Sequence, residues 1–154
     1  MTKEKVIDFI RISLKDQNLI LNAIQEEISA VKVYDTLMNE VEKGPLQLRF
    51  LQCKINHNSA VFYWKKEIQT FLNSYPQESY IWKRLLEELY GEIEINPGKD
   101  VLNKLIFAEN QLLSLYQGLK KRLTPGHIWG EEIESVFVPR QKRHISIFQE
   151  RMMN

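Results

Sequence analysis

Polar side chains interrupt four apolar helical stripes of the sequence, near the middle of each stripe. The interrupting residues are two carboxylates, two imidazoles, one ammonium and one amide, namely Glu27, Lys54, His57, Glu109, Gln141 and His144. Two imidazoles with two carboxylates suit Zn, Mn or Fe. An ammonium between two carboxylates would instead form a buried ion-pair cluster, since an unpaired buried charge is costly. We expect the ion-pair cluster, with Lys54 as its cation, and keep a single-metal site as the alternative.

Other reactive side chains near these residues have simpler interpretations. Cys53 adjoins the stripe of the second helix, and nothing nearby marks it as a nucleophile, so we interpret it as a small core residue. We interpret Tyr34 and Tyr116 as core packing. The two histidines could equally be core residues bonded to a carbonyl or carboxylate. The chain lacks a Ser-His-Asp pattern, a glycine-rich phosphate loop and a metalloprotease motif, so we predict neither catalytic nor cofactor-binding residues.

The elements that carry the six polar residues are long segments between helix breakers. The chain of 154 residues has only six Gly and five Pro, and most of them cluster. The clusters leave four segments that are too long for strands: 16–43, 46–74, 99–123 and 127–153. Their lengths are typical of bundle helices, and none shows sustained period-two alternation. The sequence therefore predicts an all-α protein.

The connections between these segments predict how the helices are arranged. The first and third are only a few residues long, so they join antiparallel neighbours. The second, about 75–99, can cross the whole bundle, and its apolar spacing around Trp82 predicts a short helix within it. Residues 1–15 have the pattern of a short amphipathic helix. We expect one domain, 1–154, an antiparallel four-helix bundle with one long crossover between its second and third helices.

Composition limits the classes of partner. Lys and Arg total 21 and Asp and Glu total 20, so the net charge of +1 gives no reason to expect nucleic acid. The single cysteine excludes an internal disulfide. The N-terminus is charged, unlike a signal peptide, and no apolar run approaches the roughly 18 residues of a membrane span. We expect a cytoplasmic protein without a membrane partner. A homodimer is compatible with the pattern, although no exposed stripe establishes it and no other protein partner is identified.

The chain resembles the ferritin-like superfamily over nearly its whole length after residue 16. Members take one Glu from each of two helices and a Glu-x-x-His from each of the other two. Glu27 and Glu109 match the single carboxylates, and His57 and His144 match the histidines. The segment Glu27-Ile-Ser-Ala-Val-Lys-Val-Tyr34 resembles the first-helix motif of rubrerythrin-type members. The layout is similar to small bacterial ferritin-like domains of unassigned function.

Two positions depart from the family pattern. Lys54 stands where the second-helix Glu would be, and Gln141 stands where the fourth-helix Glu would be. Two of the roughly four carboxylates that the family site uses are therefore missing. We expect a degenerate di-iron centre in a bundle of unknown function that binds no cofactor. The protein would be a non-catalytic structural or interaction protein, in a stress-related setting by analogy with the family.

The alternative is a metalloprotein. It would hold one divalent ion, Fe, Mn or Zn, for redox or storage chemistry. The ligands implied by the resemblance are Glu27, His57, Glu109 and His144.

Pro139 lies inside the fourth helical segment, two residues before Gln141. Proline removes one backbone hydrogen bond and its ring clashes with the carbonyl four residues earlier. The sequence therefore predicts a kink or bulge here. Its cause could be relief of packing or the aiming of Gln141 and His144 at the centre, and the sequence favours neither.

Overall fold

The structure, a computed structural model, describes residues 13–72, 80–92 and 98–153, and every element in these ranges is helical. Helices α1 to α4 span Leu14–Glu40, Pro45–Leu72, Tyr80–Glu92 and Lys99–Arg122. Helix α5 is continuous and has three parts, an α-helical start at Ile128–Glu132, a π-helical turn at Ile133–Phe137 and an α-helix at Val138–Met153. The predicted all-α class is confirmed for this part of the chain.

The four predicted long segments agree with α1, α2, α4 and α5 to within a few residues. The helix predicted inside the crossover is α3. Residues 14 and 15 were assigned to a separate N-terminal helix, which is wrong. They begin α1 instead, because the Ser13 side chain accepts a hydrogen bond from the Asp16 N–H and so caps a helix that starts at Leu14, two residues before the predicted start. The rest of the predicted N-terminal helix, residues 1–12, lies outside the described residues.

Helix α1 contacts three other helices. It packs along α2 as a hairpin and also contacts α3 and α4. Helix α4 packs along α5 as a second hairpin, and α3 lies against both α1 and α4. Each of the four long helices therefore presents one side to the same interior.

Two apolar clusters divide the core. The Trp82 cluster includes Tyr34, Phe50, Cys53, Trp82, Leu105 and Phe148. The Trp129 cluster includes Ile24, Trp64, Leu112, Tyr116, Trp129 and Phe137. On α1 the boundary between the clusters falls at residues 25–29, and on α4 it falls at residues 109–111. The predicted carboxylates of α1 and α4 thus lie between two apolar halves.

The π-helical turn of α5 fulfils the prediction made from Pro139. The Val138 N–H bonds to the Ile133 carbonyl, five residues back, in place of the usual four. Pro139 has no N–H and cannot continue the α-helical ladder at this point, so one wider turn accommodates it. The wider turn shifts the register of the helix immediately before Gln141.

None of the described helices combines the length and the apolar character that crossing a bilayer requires.

Candidate charge centre

Five of the six predicted polar residues meet at the boundary between the two apolar clusters. This central polar cluster consists of Glu27, His57, Glu109, Gln141 and His144. No member exposes more than 3% of its surface. Each of the four long helices contributes at least one member. The sequence prediction of a shared polar level is correct for these five residues.

His57 lies between the two carboxylates. Its Nδ1 is 3.0 Å from Glu27 Oε1, and its Nε2 is 2.8 Å from Glu109 Oε1. Burial by itself would lower the pKa of His57, but the charges of Glu109 and Glu27 raise it to about 10. The ring is therefore an imidazolium at neutral pH, and it donates one hydrogen bond to each carboxylate.

Glu109 is the acceptor on which most of the cluster converges. Its Oε1 accepts from the Tyr34 hydroxyl at 2.5 Å and from His57, and it lies 3.3 Å from His144 Nδ1. Its Oε2 accepts from the Gln141 amide, which also reaches the Glu109 backbone carbonyl at 3.3 Å. Burial would raise the pKa of Glu109, but His57 and His144 hold it well below its usual range. Glu109 is thus a buried anion, and hydrogen bonds from protein side chains replace those that water would supply.

His144 is held from its far side by an amide. Asn56 Nδ2 is 2.8 Å from His144 Nε2, and Asn56 Oδ1 accepts from Gln52 Nε2 at 3.2 Å. With the Asn56 amide as donor, His144 accepts at Nε2 and donates from Nδ1 to Glu109. Both ring nitrogens of His144 are then engaged in hydrogen bonds.

Glu27 has a much poorer environment than Glu109. Among the described residues, its carboxylate has one hydrogen bond, the one to His57. Burial raises the pKa of Glu27, and the nearby His57 offsets this only in part. One carboxylate of the centre is therefore stabilised as an anion, whereas the other is pushed toward its protonated form.

Lys54 does not belong to the centre, and its assignment as the buried cation is wrong. Its Nζ lies 2.7 Å from Asp35 Oδ1, and the side chain is 32% exposed. Cys53 occupies the inward position instead and is fully buried. Successive residues of a helix are turned by about 100°, and the turn from Cys53 to Lys54 directs the lysine toward Asp35 of α1. The cation between the carboxylates is the His57 imidazolium.

Three residues of the centre were missed or interpreted as ordinary packing. Tyr34 donates to Glu109 and stacks on His57, with ring centroids 5.4 Å apart and planes 10° apart. Asn56 orients His144, and Cys53 contacts the Tyr34 hydroxyl. On α2, a second apolar spacing could have identified Cys53. It steps three residues from Phe50 to Cys53, whereas the predicted stripe steps four residues from Phe50 to Lys54. The residues on that spacing, all buried, are Phe50, Cys53, His57, Ala60 and Trp64.

Glu26 is a further buried carboxylate beside the centre. It is 9% exposed, and burial together with the charge of Glu27 raises its pKa to about 7. It interacts with the Trp82 indole. Within the described residues, neither Glu26 Oε1 nor Trp82 Nε1 has a hydrogen-bond partner of normal geometry. Glu26 is therefore a buried group that the central hydrogen-bond network does not satisfy.

The carboxylates and imidazoles of the central polar cluster do not fit the two metal ions that ferritin-like proteins bind. Only Glu27 and Glu109 supply carboxylates to the cluster, and His57 stands between them with both nitrogens engaged. His144 Nδ1 is likewise directed at Glu109. In the part of the chain that the structure describes, one compact donor set is found, in which ligand atoms of Cys53, Glu109 and His144 lie within 4.8 Å of one another. Burial and the charge of Glu109 raise the pKa of Cys53 well above its usual value, which disfavours the thiolate that a metal needs.

The centre is closed to substrates in this conformation, because its members are almost wholly buried. A groove of about 480 Å³ lies between α3 and α4, with Ile81, Leu85 and Phe107 among its lining residues. No member of the central polar cluster lines this groove. The arrangement can neutralise charge and fix the positions of four helices without contact with solvent.

Comparison with known proteins identifies no relative: no protein-family model matches the chain, and neither a curated protein nor a solved structure matches it.

Proposed function

We propose that this protein is a ferritin-like bundle in which an internal ion-pair cluster replaces the metal centre. It acts as a non-catalytic structural or interaction protein of the cytoplasm. The observation that carries the proposal is the position of His57, whose two ring nitrogens contact Glu27 and Glu109 at 3.0 and 2.8 Å. A protonated imidazole supplies the positive charge that two carboxylates would otherwise draw from a metal.

The arrangement of the helices supports the ferritin-like part of the proposal. Two helical hairpins, α1–α2 and α4–α5, pack against each other, and the long connection between them contains α3. Such an arrangement is what a bundle with one long crossover would have, and it supports the proposal. Glu27 and Glu109 come from the first helix of each hairpin, as the single carboxylates of the family do.

The bonding pattern supports a structural role. A substrate or oxidant would have to open the bundle to reach the cluster, and Glu109 already accepts bonds from four side chains. Buried ion pairs often contribute little net stability compared with apolar packing, and in some proteins they select one register. We assign that role to this cluster, since its members come from all four long helices.

Metal analysis tests the proposal. Protein purified without a histidine tag and dialysed against a chelator is expected to carry only traces of Fe, Mn and Zn. Its melting temperature should not change when Fe(II), Mn(II) or Zn(II) is added, because an ion without affinity for the folded state cannot stabilise it. About one equivalent of metal that survives dialysis, or a clear rise in melting temperature, would contradict the proposal.

A metal-binding role is the second candidate, favoured by the compact Cys53, Glu109 and His144 set. It would hold one Fe, Mn or Zn for redox or storage chemistry. Titration with Co(II) separates the candidates, since a cobalt–thiolate bond gives intense near-ultraviolet absorption. The ion-pair proposal predicts no such band. A band that appears in the parent and disappears in Cys53→Ala would establish the metal site.

A further inference from the structure

Trp82 of α3 lies directly against the central polar cluster. Its side chain is fully buried, and its ring centroid is 5.8 Å from that of His57 and 5.9 Å from that of Tyr34. It also interacts with the Glu26 carboxylate. The indole of Trp82 therefore covers buried polar groups that belong to α1 and α2.

The rest of α3 is attached to the bundle by few side chains. Among residues 81–88, the part of α3 whose side chains the structure describes, Trp82 and Leu85 are buried, and Ile81 and Leu86 are partly buried. Helix α1 buries eleven residues along its length, so it is held by much more buried surface than α3 is. Regions with few buried apolar contacts open at lower free energy than the whole fold.

The edge between α3 and α4 is open and polar. The groove of about 480 Å³ lies along Ile81 and Phe107, so the two helices are not closely packed there. An ion pair joins α3 to α4, with Glu88 Oε2 2.6 Å from Lys104 Nζ and the two side chains 35% and 40% exposed. Exposed ion pairs contribute little to stability and are screened by salt. This edge therefore adds little to the attachment that Trp82 and Leu85 provide.

We infer that α3 is a lid over the central polar cluster, seated by Trp82, and that it opens as a unit while the four long helices stay folded. Opening removes the indole from His57 and Tyr34 and gives solvent a route to groups that are otherwise closed off. The inference rests on how α3 is attached, and it does not depend on whether a metal binds at the centre.

Hydrogen exchange followed by mass spectrometry tests the lid in the intact protein. The amides of α3 are expected to exchange together, at least about 100-fold faster than those of residues 105–112 of α4, because a local unit opens at lower free energy than the whole fold. The middles of the four long helices should stay protected. The inference is overturned if α3 exchanges only together with α4. It is also overturned if the ends of α3 exchange while its middle stays as protected as α4.

Lys104→Gln tests how the lid is held closed. It removes the ion pair from the α4 side and leaves the sequence of α3 unchanged. Exchange of all the α3 amides should rise by about two- to fivefold, as expected for the loss of one exposed ion pair. Lys54→Gln is the matched control, because it removes the pair with Asp35, which joins α1 and α2 at 2.7 Å and is similarly exposed. It should leave the exchange of α3 unchanged. Equal effects of the two variants would contradict the lid.

The indole N–H signals in NMR spectra show whether Trp82 leaves with the lid. Its Nε1–H should exchange with solvent at the rate of the α3 amides. Trp64 is the control in the same spectrum, because its indole is equally buried and donates to the Tyr116 hydroxyl at 3.1 Å. The Trp64 signal should exchange only with the slowest amides. The chain has three tryptophans, so single Trp→Phe variants assign the signals. If the Trp82 indole stays as protected as that of Trp64 while the α3 amides exchange, no lid is lifted from the cluster and the inference is overturned.

Discussion

Glu27 and Glu109 occupy matched positions on α1 and α4, each seven residues before a tyrosine, yet their surroundings differ sharply. Four side chains donate to Glu109, which keeps its pKa low, whereas a single bond from His57 leaves the pKa of Glu27 raised. Both are almost completely buried. Burial alone therefore does not decide the charge of a carboxylate. The number and charge of its donors decide it.

The two tyrosines show the same asymmetry. Tyr34 of α1 donates across the bundle to Glu109 of α4. Tyr116 of α4 has no such bond to Glu27, and its hydroxyl accepts from the Trp64 indole at 3.1 Å. A repeated spacing in the sequence has thus become one strong anion site and one weak one.

Replacing each carboxylate in turn should give the largest difference in stability between the two sites. Glu109→Gln is expected to lower the free energy of unfolding by about 3–5 kcal/mol, because His57 and Tyr34 lose their anionic acceptor. Glu27→Gln should cost no more than about 1.5 kcal/mol, since an amide oxygen can still accept from His57. Urea unfolding measures both, with circular dichroism to verify the fold. Equal losses would contradict the asymmetry.

The pH dependence of stability should follow the same groups. His57 has a folded pKa of about 10, above its unfolded 6.5, so its contribution is complete below pH 6.5 and is lost as the pH rises toward 10. Between pH 7 and 9 the free energy of unfolding should fall by at most about 1.4 kcal/mol per pH unit for this proton.

Glu26 adds a second, lower window to that profile. Its folded pKa of about 7 exceeds its unfolded 4.5, so stability should also fall between these values. The lowered pKa of Glu109 acts in the opposite direction, and its contribution is lost only in acid. Stability should therefore peak near pH 5. Urea unfolding from pH 5 to 9 measures the profile, and Glu26→Gln should flatten only its lower part. A parent that becomes more stable from pH 5 to 9 would refute this charge assignment.

Replacing the two matched tyrosines should give a smaller difference in stability. Tyr34→Phe removes a bond to a buried anion and should cost about 1.5–3 kcal/mol. Tyr116→Phe removes a bond between neutral groups and should cost about 1 kcal/mol. Both rings remain in place, so the packing is comparable. Urea unfolding at neutral pH should rank them in this order, and the reverse order would show that the Glu109 site is not the stronger one.

Lys54→Ala should have the smallest effect, less than about 1 kcal/mol. The ion pair with Asp35 is half-exposed, and such pairs contribute little. Asp35→Ala is the matched control and should be equally mild. If Lys54→Ala lowered the free energy of unfolding as much as Glu109→Gln does, Lys54 would have to belong to the central polar cluster.

Much of the fold could be predicted from where Gly and Pro interrupt the chain. The breakers delimit the four long helices, and Pro139 predicts an irregular turn that the structure has as a π-helical turn. The level at which Glu27, His57 and Glu109 meet also follows from the sequence, because apolar stripes make polar interruptions conspicuous.

The identity of the cation could not be predicted in the same way. On α2 a step of three or of four after Phe50 gives two apolar stripes, one through Cys53 and the other through Lys54. Residue spacing alone does not choose between them, since α2 is apolar on its outer face too. The orienting amide of Asn56 was missed for a related reason, because polar residues next to a stripe are normally exposed.

Protonation of His57 is the central claim, and nitrogen NMR of the imidazole rings tests it most directly. Spectra recorded near pH 8, between the unfolded pKa of 6.5 and the folded value of about 10, should show both nitrogens of His57 protonated. The chain has three histidines, so single His→Gln variants assign the signals. A neutral single tautomer at His57, or a nitrogen shifted by a bound metal, would contradict the account.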